Sequence, residues 1–184
     1  MHESTETMFF LPYVPRSDSD ARGYDGWIRE IDNPFFNGVD GISLYANWKV
    51  KNVLKGELDF THVDFMYVDP AKEDAIWSNP TVAEFASGWT EKWGRDPQNA
   101  DLSVNYHVYR LEQENGPGGF SSSLATVILQ PSGQPAPGAT RWRVAKSVLG
   151  ESPYTMIDVI FGPASEEALS SAVAAFECEI IAAP

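Results

Sequence analysis

The residues able to do acid–base chemistry in this 184-residue chain sit on stretches that alternate with period two. In SVNYHVYRL, Ser103, Asn105, His107 and Tyr109 alternate with Val104, Tyr106 and Val108, so a strand here gathers the polar side chains on one face. ISLYANWKV does the same with Ser43, Tyr45, Asn47 and Lys49 against Ile42, Leu44, Ala46 and Trp48. If the apolar faces cover helices, the polar-aromatic faces line a cavity. His107 is then the general base, with Tyr45, Asn47 and Tyr109 donating hydrogen bonds to a developing oxyanion and Asn105 beside them. The other reading of His107 is a packed histidine among ordinary core aromatics.

Further groups extend this set. In FTHVDF, His62 and Asp64 stand at i and i+2 on one strand face and could orient one another, or His62 is solvated at a strand start. Asp158, in YTMIDVIF, alternates with Ile157, Val159 and Phe161 and is expected to face the cavity, where isolation would raise its pKa and make it a base. Lys49 and Arg143 occupy equivalent strand positions and could hold a carboxylate or phenolate; solvated strand ends explain them equally well. Asp32-Asn33-Pro34-Phe35-Phe36-Asn37 could present Phe35 at the cavity mouth or end a helix.

What is missing narrows the chemistry. GxGxxG after a strand, GxxxxGK[ST], HExxH, paired CxxC and GxSxG are all absent, so no cofactor and no metal is expected. A net charge of −13 excludes a nucleic-acid binder and docking on an anionic membrane. No apolar run approaches the roughly 20 residues that span a bilayer. The N-terminus, MHESTETMFF, carries acids rather than a basic leader, and a cytoplasmic monomer or homodimer is expected. Cys178, alone in AAFECEII, reads as a buried structural thiol.

The elements that must position these residues fall in two sets. MFFLPYV is a strand, with Pro12 suited to an edge. Tyr24, Trp27, Ile28 and Ile31 recur at helical spacing in a helix ending near Asn33-Pro34. Strands over 42–52 and 60–68, a helix opening at Asp69-Pro70 and resuming after Asn79-Pro80, and a strand over 104–111 complete a β-α-β-β-α-β order. After the Gly/Ser/Pro-rich EQENGPGGFSSS come strands over 124–129, 141–149 and 154–161, a helix over 165–177 and a strand over 178–182. A shift of 93 lays Phe60–Ala75 on the C-terminal copy, with Pro70 on Pro163 and Glu73 on Glu166, while a shift of 94 lays Trp48-Lys49-Val50 on Trp142-Arg143-Val144. The expectation is an α+β protein of two ferredoxin-like units, over 7–112 and 124–183 with a linker at 113–123, the second lacking its first helix. Two such sheets would meet apolar face to face around a ligand-sized space, forming an α/β barrel within one chain.

Tyr24–Val50, YDGWIREIDNPFFNGVDGISLYANWKV, resembles EthD-like and antibiotic-biosynthesis-monooxygenase-like members of the dimeric α/β-barrel superfamily, through the aromatic helix around Trp27 and the turn Val39-Asp40-Gly41-Ile42-Ser43-Leu44-Tyr45. The helix histidine of many EthD-like proteins has no counterpart in Trp27–Ile31, WIREI. The resemblance implies cofactor-free oxygenase, isomerase, cyclase or lyase chemistry. Together these readings point to a cofactor-independent enzyme acting by acid/base chemistry on a small hydrophobic, aromatic or polyketide-like molecule. The competing reading is a non-catalytic protein that binds a small ligand or a partner in the same cleft.

Overall fold

The computed structural model describes residues 7–96 and 106–184. Eight strands close into one antiparallel barrel: β1 (Thr7–Tyr13), β2 (Ile42–Lys55), β3 (His62–Val68), β4 (Val108–Asn115), β5 (Leu124–Gln130), β6 (Thr140–Leu149), β7 (Met156–Ile160) and β8 (Ala174–Ala182). Their order around the barrel is β1-β3-β2-β8-β5-β7-β6-β4, with β4 returning to β1. Pro12 lies past the regular β1–β4 ladder, which pairs Thr7 to Phe10; there its carbonyl accepts from the His107 N–H at 3.0 Å, and it has no N–H to return a second bond.

An eight-stranded barrel has an interior just wide enough for side chains to fill it. That is what happens here. Met8, Phe10, Ala46, Trp48, Phe65, Leu111, Val127, Trp142, Ile157 and Phe176 belong to one buried cluster with contributions from all eight strands. The space expected between two apposed sheets is this core. Ile157 and Val159, expected to pack on a helix, point into it, as does Cys178, whose thiol burial pushes upward in pKa.

The inward set on β2 is Leu44, Ala46, Trp48 and Val50. The face assignment made from the sequence is therefore inverted: Tyr45 and Asn47 point out of the barrel, beneath helices, instead of into it. A bulge between Ile42 and Leu44 also switches Ile42 to the outer side, where it joins Phe9, Leu11 and Tyr45.

Helices cover the outer face of the first half. α1 (Tyr24–Trp27) runs into a π-helical turn (Ile28–Asp32) and on into α2 (Asn33–Asn37). Pro34 does not end the helix as expected, because it falls at the start of α2, just after the wide π turn. After α3 (Glu73–Trp77), α4 (Pro80–Trp89) is capped by the Asn79 side chain accepting from the Thr81 N–H and leads into a second π turn, Thr90–Gly94. The outer face of the second half has only α5 (Glu166–Leu169) and a small alanine-rich cluster under the 131–139 loop. The expected helix over 165–177 stops early because Ala174–Glu177 pairs with β5 and β2 as strand. No helix among the described residues is long and apolar enough to cross a membrane.

Candidate functional site

Outside the barrel wall, under the first π turn, lies a buried polar cluster. Asn47 on β2 pairs across the sheet with Asp64 on β3. Asp32, the last residue of the π turn, reaches down to both strands. Asp32 and Asp64 are 4% and 3% exposed. The Tyr45 hydroxyl lies 3.0 Å from Asp32 Oδ2 and 2.8 Å from Asp64 Oδ2. Asn47 Nδ2 donates to Asp32 Oδ2 at 3.0 Å and to Asp64 Oδ1 at 2.9 Å. Asn33 Nδ2 in turn donates to Asn47 Oδ1 and to the Tyr45 carbonyl, both at 2.9 Å, and the Tyr45 N–H donates to Asn37 Oδ1 at 2.8 Å. These amides fasten the helix to the strand and fix which way Asn47 faces.

Counting protons decides the state of the cluster. A phenol has one proton to give and here touches two carboxyls. One carboxyl must therefore be protonated and donate to Tyr45 while Tyr45 donates to the other. The electrostatics agree. Burial raises Asp32 to about 7, and burial together with the charge of Asp32 holds Asp64 well above the usual carboxylate range. The two titrate as a pair. Burial and the charge of Asp64 raise the nearby Tyr13 phenol. Tyr24 donates to Tyr13 at 3.1 Å and accepts from Trp89 Nε1 at 2.8 Å, so a short chain of donors runs from Trp89 to Tyr13. Burial and the two carboxylates raise Tyr24 and Tyr45.

The same place in the second half is built differently. Arg141 on β6 pairs across the sheet with Asp158 on β7, and each lies 94 positions beyond Asn47 and Asp64. Arg141 Nε and Nη2 donate to Asp158 Oδ1 and Oδ2 at 2.7 and 2.8 Å, while Gln130 Nε2 and the Ala136 N–H complete the carboxylate's shell. Asp158 is thus not the isolated cavity carboxylate expected from the sequence. It faces outward, fully buried, neutralised by a bidentate guanidinium that also ties down the carbonyls of Gly133 and Gln134.

The remaining expected site residues are dispersed. Tyr109 faces the barrel interior, and its hydroxyl donates to the Glu151 carbonyl at 3.0 Å. His107 stacks on Tyr109 at 5.9 Å and packs on Gly150, on the opposite side of the sheet from Tyr45 and Asn47, so it cannot serve as their base. Asn105 lies outside the described residues. His62 shares the outer side with Asp64 but bonds Thr61 Oγ1 through Nδ1 and stacks on Tyr13; burial and Lys49 lower it to about 4, so it is neutral. Lys49 is paired with Asp20 and Asp25, and Arg143 with Glu112 and Glu114, as surface ion pairs. Phe35 stacks on Phe85 at 3.9 Å between two helices, not at a barrel mouth.

Asp32 was hidden in the sequence because Asp-Asn-Pro reads as a helix stop. Asp64 is in view, but the shift of 93 sets it against Ile157. The shift of 94 already visible at Trp48 and Trp142 sets Asp64 on Asp158 and Asn47 on Arg141, and with them the missing cation. Among the described residues no three His, Cys, Asp or Glu side chains form a metal-ligating group. No family model, curated protein or solved structure matches the chain.

Proposed function

We propose that the chain is a cofactor-independent enzyme that moves a proton on a small hydrophobic, aromatic or polyketide-like molecule, in isomerisation, cyclisation or elimination, with Asp32 and Asp64 as the proton-holding pair in place of His107. One observation carries this reading. Two carboxyls are buried together, neither of them ion-paired among the described residues, at the position where the other half of the barrel supplies Arg141. An uncompensated buried carboxylate is costly, and such arrangements with raised pKa values concentrate where proton transfer is needed. A π turn that delivers one of the two acids is also a common local feature of functional sites.

On the same footing, we read the barrel as two ferredoxin-like units, the second without its first helix, in the manner of the EthD-like dimeric α/β barrels. The strand sequence 4-1-3-2 in one half and 8-5-7-6 in the other supports it, as does the 94-residue correspondence of the two cross-strand pairs. A second reading, a non-catalytic binding protein, is favoured by the filled barrel interior, which leaves the core cluster no role beyond packing.

The test is proton exchange. The protein is incubated in deuterated water with a panel of aromatic ketones that carry acidic C–H bonds, and deuterium incorporation is followed by NMR. Exchange that falls by about 10²–10⁴ in both Asp32→Asn and Asp64→Asn supports the enzyme reading. Exchange equal to wild type in both variants, or none with any compound, rejects it.

A further inference from the structure

The geometry points to a binding site for a planar aromatic carboxylate in the groove between the two π turns. This groove, of about 420 Å³, is lined by Arg22, Trp27, Glu30, Ile31, Lys92 and Trp93. Its volume is in the range of small-molecule sites. Arg22 lies 5.8 Å from the centre of the Trp93 ring, and the Lys92 ammonium lies 5.2 Å from Trp93 and 5.7 Å from Trp27. Neither cation is ion-paired among the described residues, although the chain carries 26 acids against 13 Lys and Arg. Set over the two indoles, the two cations put two positive charges at the groove against the single carboxylate of Glu30 in its lining. Trp93 is 2% exposed, and its indole N–H has no acceptor among the described residues.

These features choose the ligand class. An aromatic ring finds apolar surface on exposed Ile31 and on the half-buried edge of Trp27, whose faces carry Tyr24, Phe85 and Lys92. A carboxylate finds Arg22 and Lys92 without having to displace an existing partner. A cationic ligand is disfavoured, because the protein's own cations already hold the indole faces. A purely apolar ligand would leave both charges unused.

The groove lies one aromatic layer from the proton-holding cluster. Tyr24 lies against Trp27 at 6.0 Å and Trp93 at 4.8 Å, and its hydroxyl donates to Tyr13, which lies within the field of Asp64. That link to substrate rests on the proton-transfer reading; the binding site itself stands apart from it.

Gly26 offers a clean block. A Cβ built there meets nothing within 4 Å, so a larger side chain enters the groove and not the fold. The experiment is calorimetric titration with 2-naphthoate, its neutral analogue 2-naphthylmethanol, and tetramethylammonium. One saturable naphthoate site is expected, weakened about tenfold or more in R22Q/K92Q and for the neutral alcohol, and lost in Gly26→Leu. No saturation with naphthoate, unchanged affinity in R22Q/K92Q or in a folded Gly26→Leu, or preferred binding of tetramethylammonium overturns the assignment. Naphthoate binding that persists in Asp64→Asn while no panel compound exchanges protons keeps this site and rejects the catalytic reading, so the two failures are separable.

Discussion

Asn47 and Arg141 stand at the same point of two matching strand pairs, each directly across from a buried aspartate, yet only Arg141 brings a charge. The Asp158 pair is complete in itself. The Asp64 pair is not, and Asp32 adds a second acid where a base would settle the first. The consequence is a proton held inside the protein near neutral pH.

That proton makes stability depend on pH in a direction opposite to that of a paired carboxylate. Folded Asp32 keeps its proton up to about 7, whereas an unfolded aspartate releases it near about 3.9. Between these values the folded state binds more protons, so this contribution is fully present at the acid end and is lost as pH rises through the folded value. His62, neutral in the fold down to about 4, acts in the opposite sense in this window. The readout is therefore the difference between wild type and Asp32→Asn in urea unfolding, which should shrink by on the order of a few kcal/mol as pH rises through it. Asp32→Asn, which keeps the donor geometry and cannot titrate, should lose clearly less. Parallel curves for the two proteins would mean that Asp32 holds no proton.

Removing the cation on the other side should be costly. Arg141→Leu leaves a fully buried carboxylate unneutralised and should destabilise by about 3–5 kcal/mol. The double change with Asp158→Leu should recover a large part of that loss, because no orphaned charge remains. Asn47→Leu, which removes hydrogen bonds from an already proton-sharing pair, should cost about 1.5–3 kcal/mol. A double-mutant cycle by chemical denaturation checks all three, and an Arg141→Leu penalty below that of Asn47→Leu would contradict the contrast drawn here.

Gly150 tests where His107 is. Its backbone has φ +80°, and a Cβ there would lie 1.9 Å from His107 Nδ1. Gly150→Ala should cost about 1–3 kcal/mol through strain and the displaced imidazole. His107→Ala in the same molecule should return the part due to contact and leave the part due to φ. Equal thermal stability of the single and double variants would show that the ring does not pack there.

Cys178 gives a chemical readout of opening. Its side chain lies inside the barrel, with Sγ 3.5 Å from the Ala125 carbonyl and the thiol pKa raised by burial. Labelling by a thiol reagent should track global unfolding in urea; rapid labelling of the native protein would show the barrel breathing at β8.

The order of strands and helices was legible in the sequence because period-two and period-3.6 patterns mark elements directly, and in β2, β3 and β7 the strand limits agree closely with the structure. Which face turned inward was not legible. Tyr45, Asn47 and Asp158 are polar, and polarity among aromatics suggests a cavity; in the structure small and large apolar side chains such as Ala46 and Trp48 fill the barrel, and the polar face lies outside it, buried. The same inversion moved Asp158 and separated His107 from its expected partners. Asp32 needed knowledge of the π turn, which has no reliable sequence signature, and of a helix that continues through Pro34.

The seams of the barrel join β2 to β8 and β4 to β6, so every strand pair that crosses from one half to the other uses one early and one late segment of the chain. A backbone cut in the exposed loop at Gly119 would therefore leave two fragments, each with two unsatisfied hydrogen-bonding borders. Such fragments have reason to find each other and to reassemble, with the Asp32–Asp64 pair carried whole on one piece and the Arg141–Asp158 pair whole on the other.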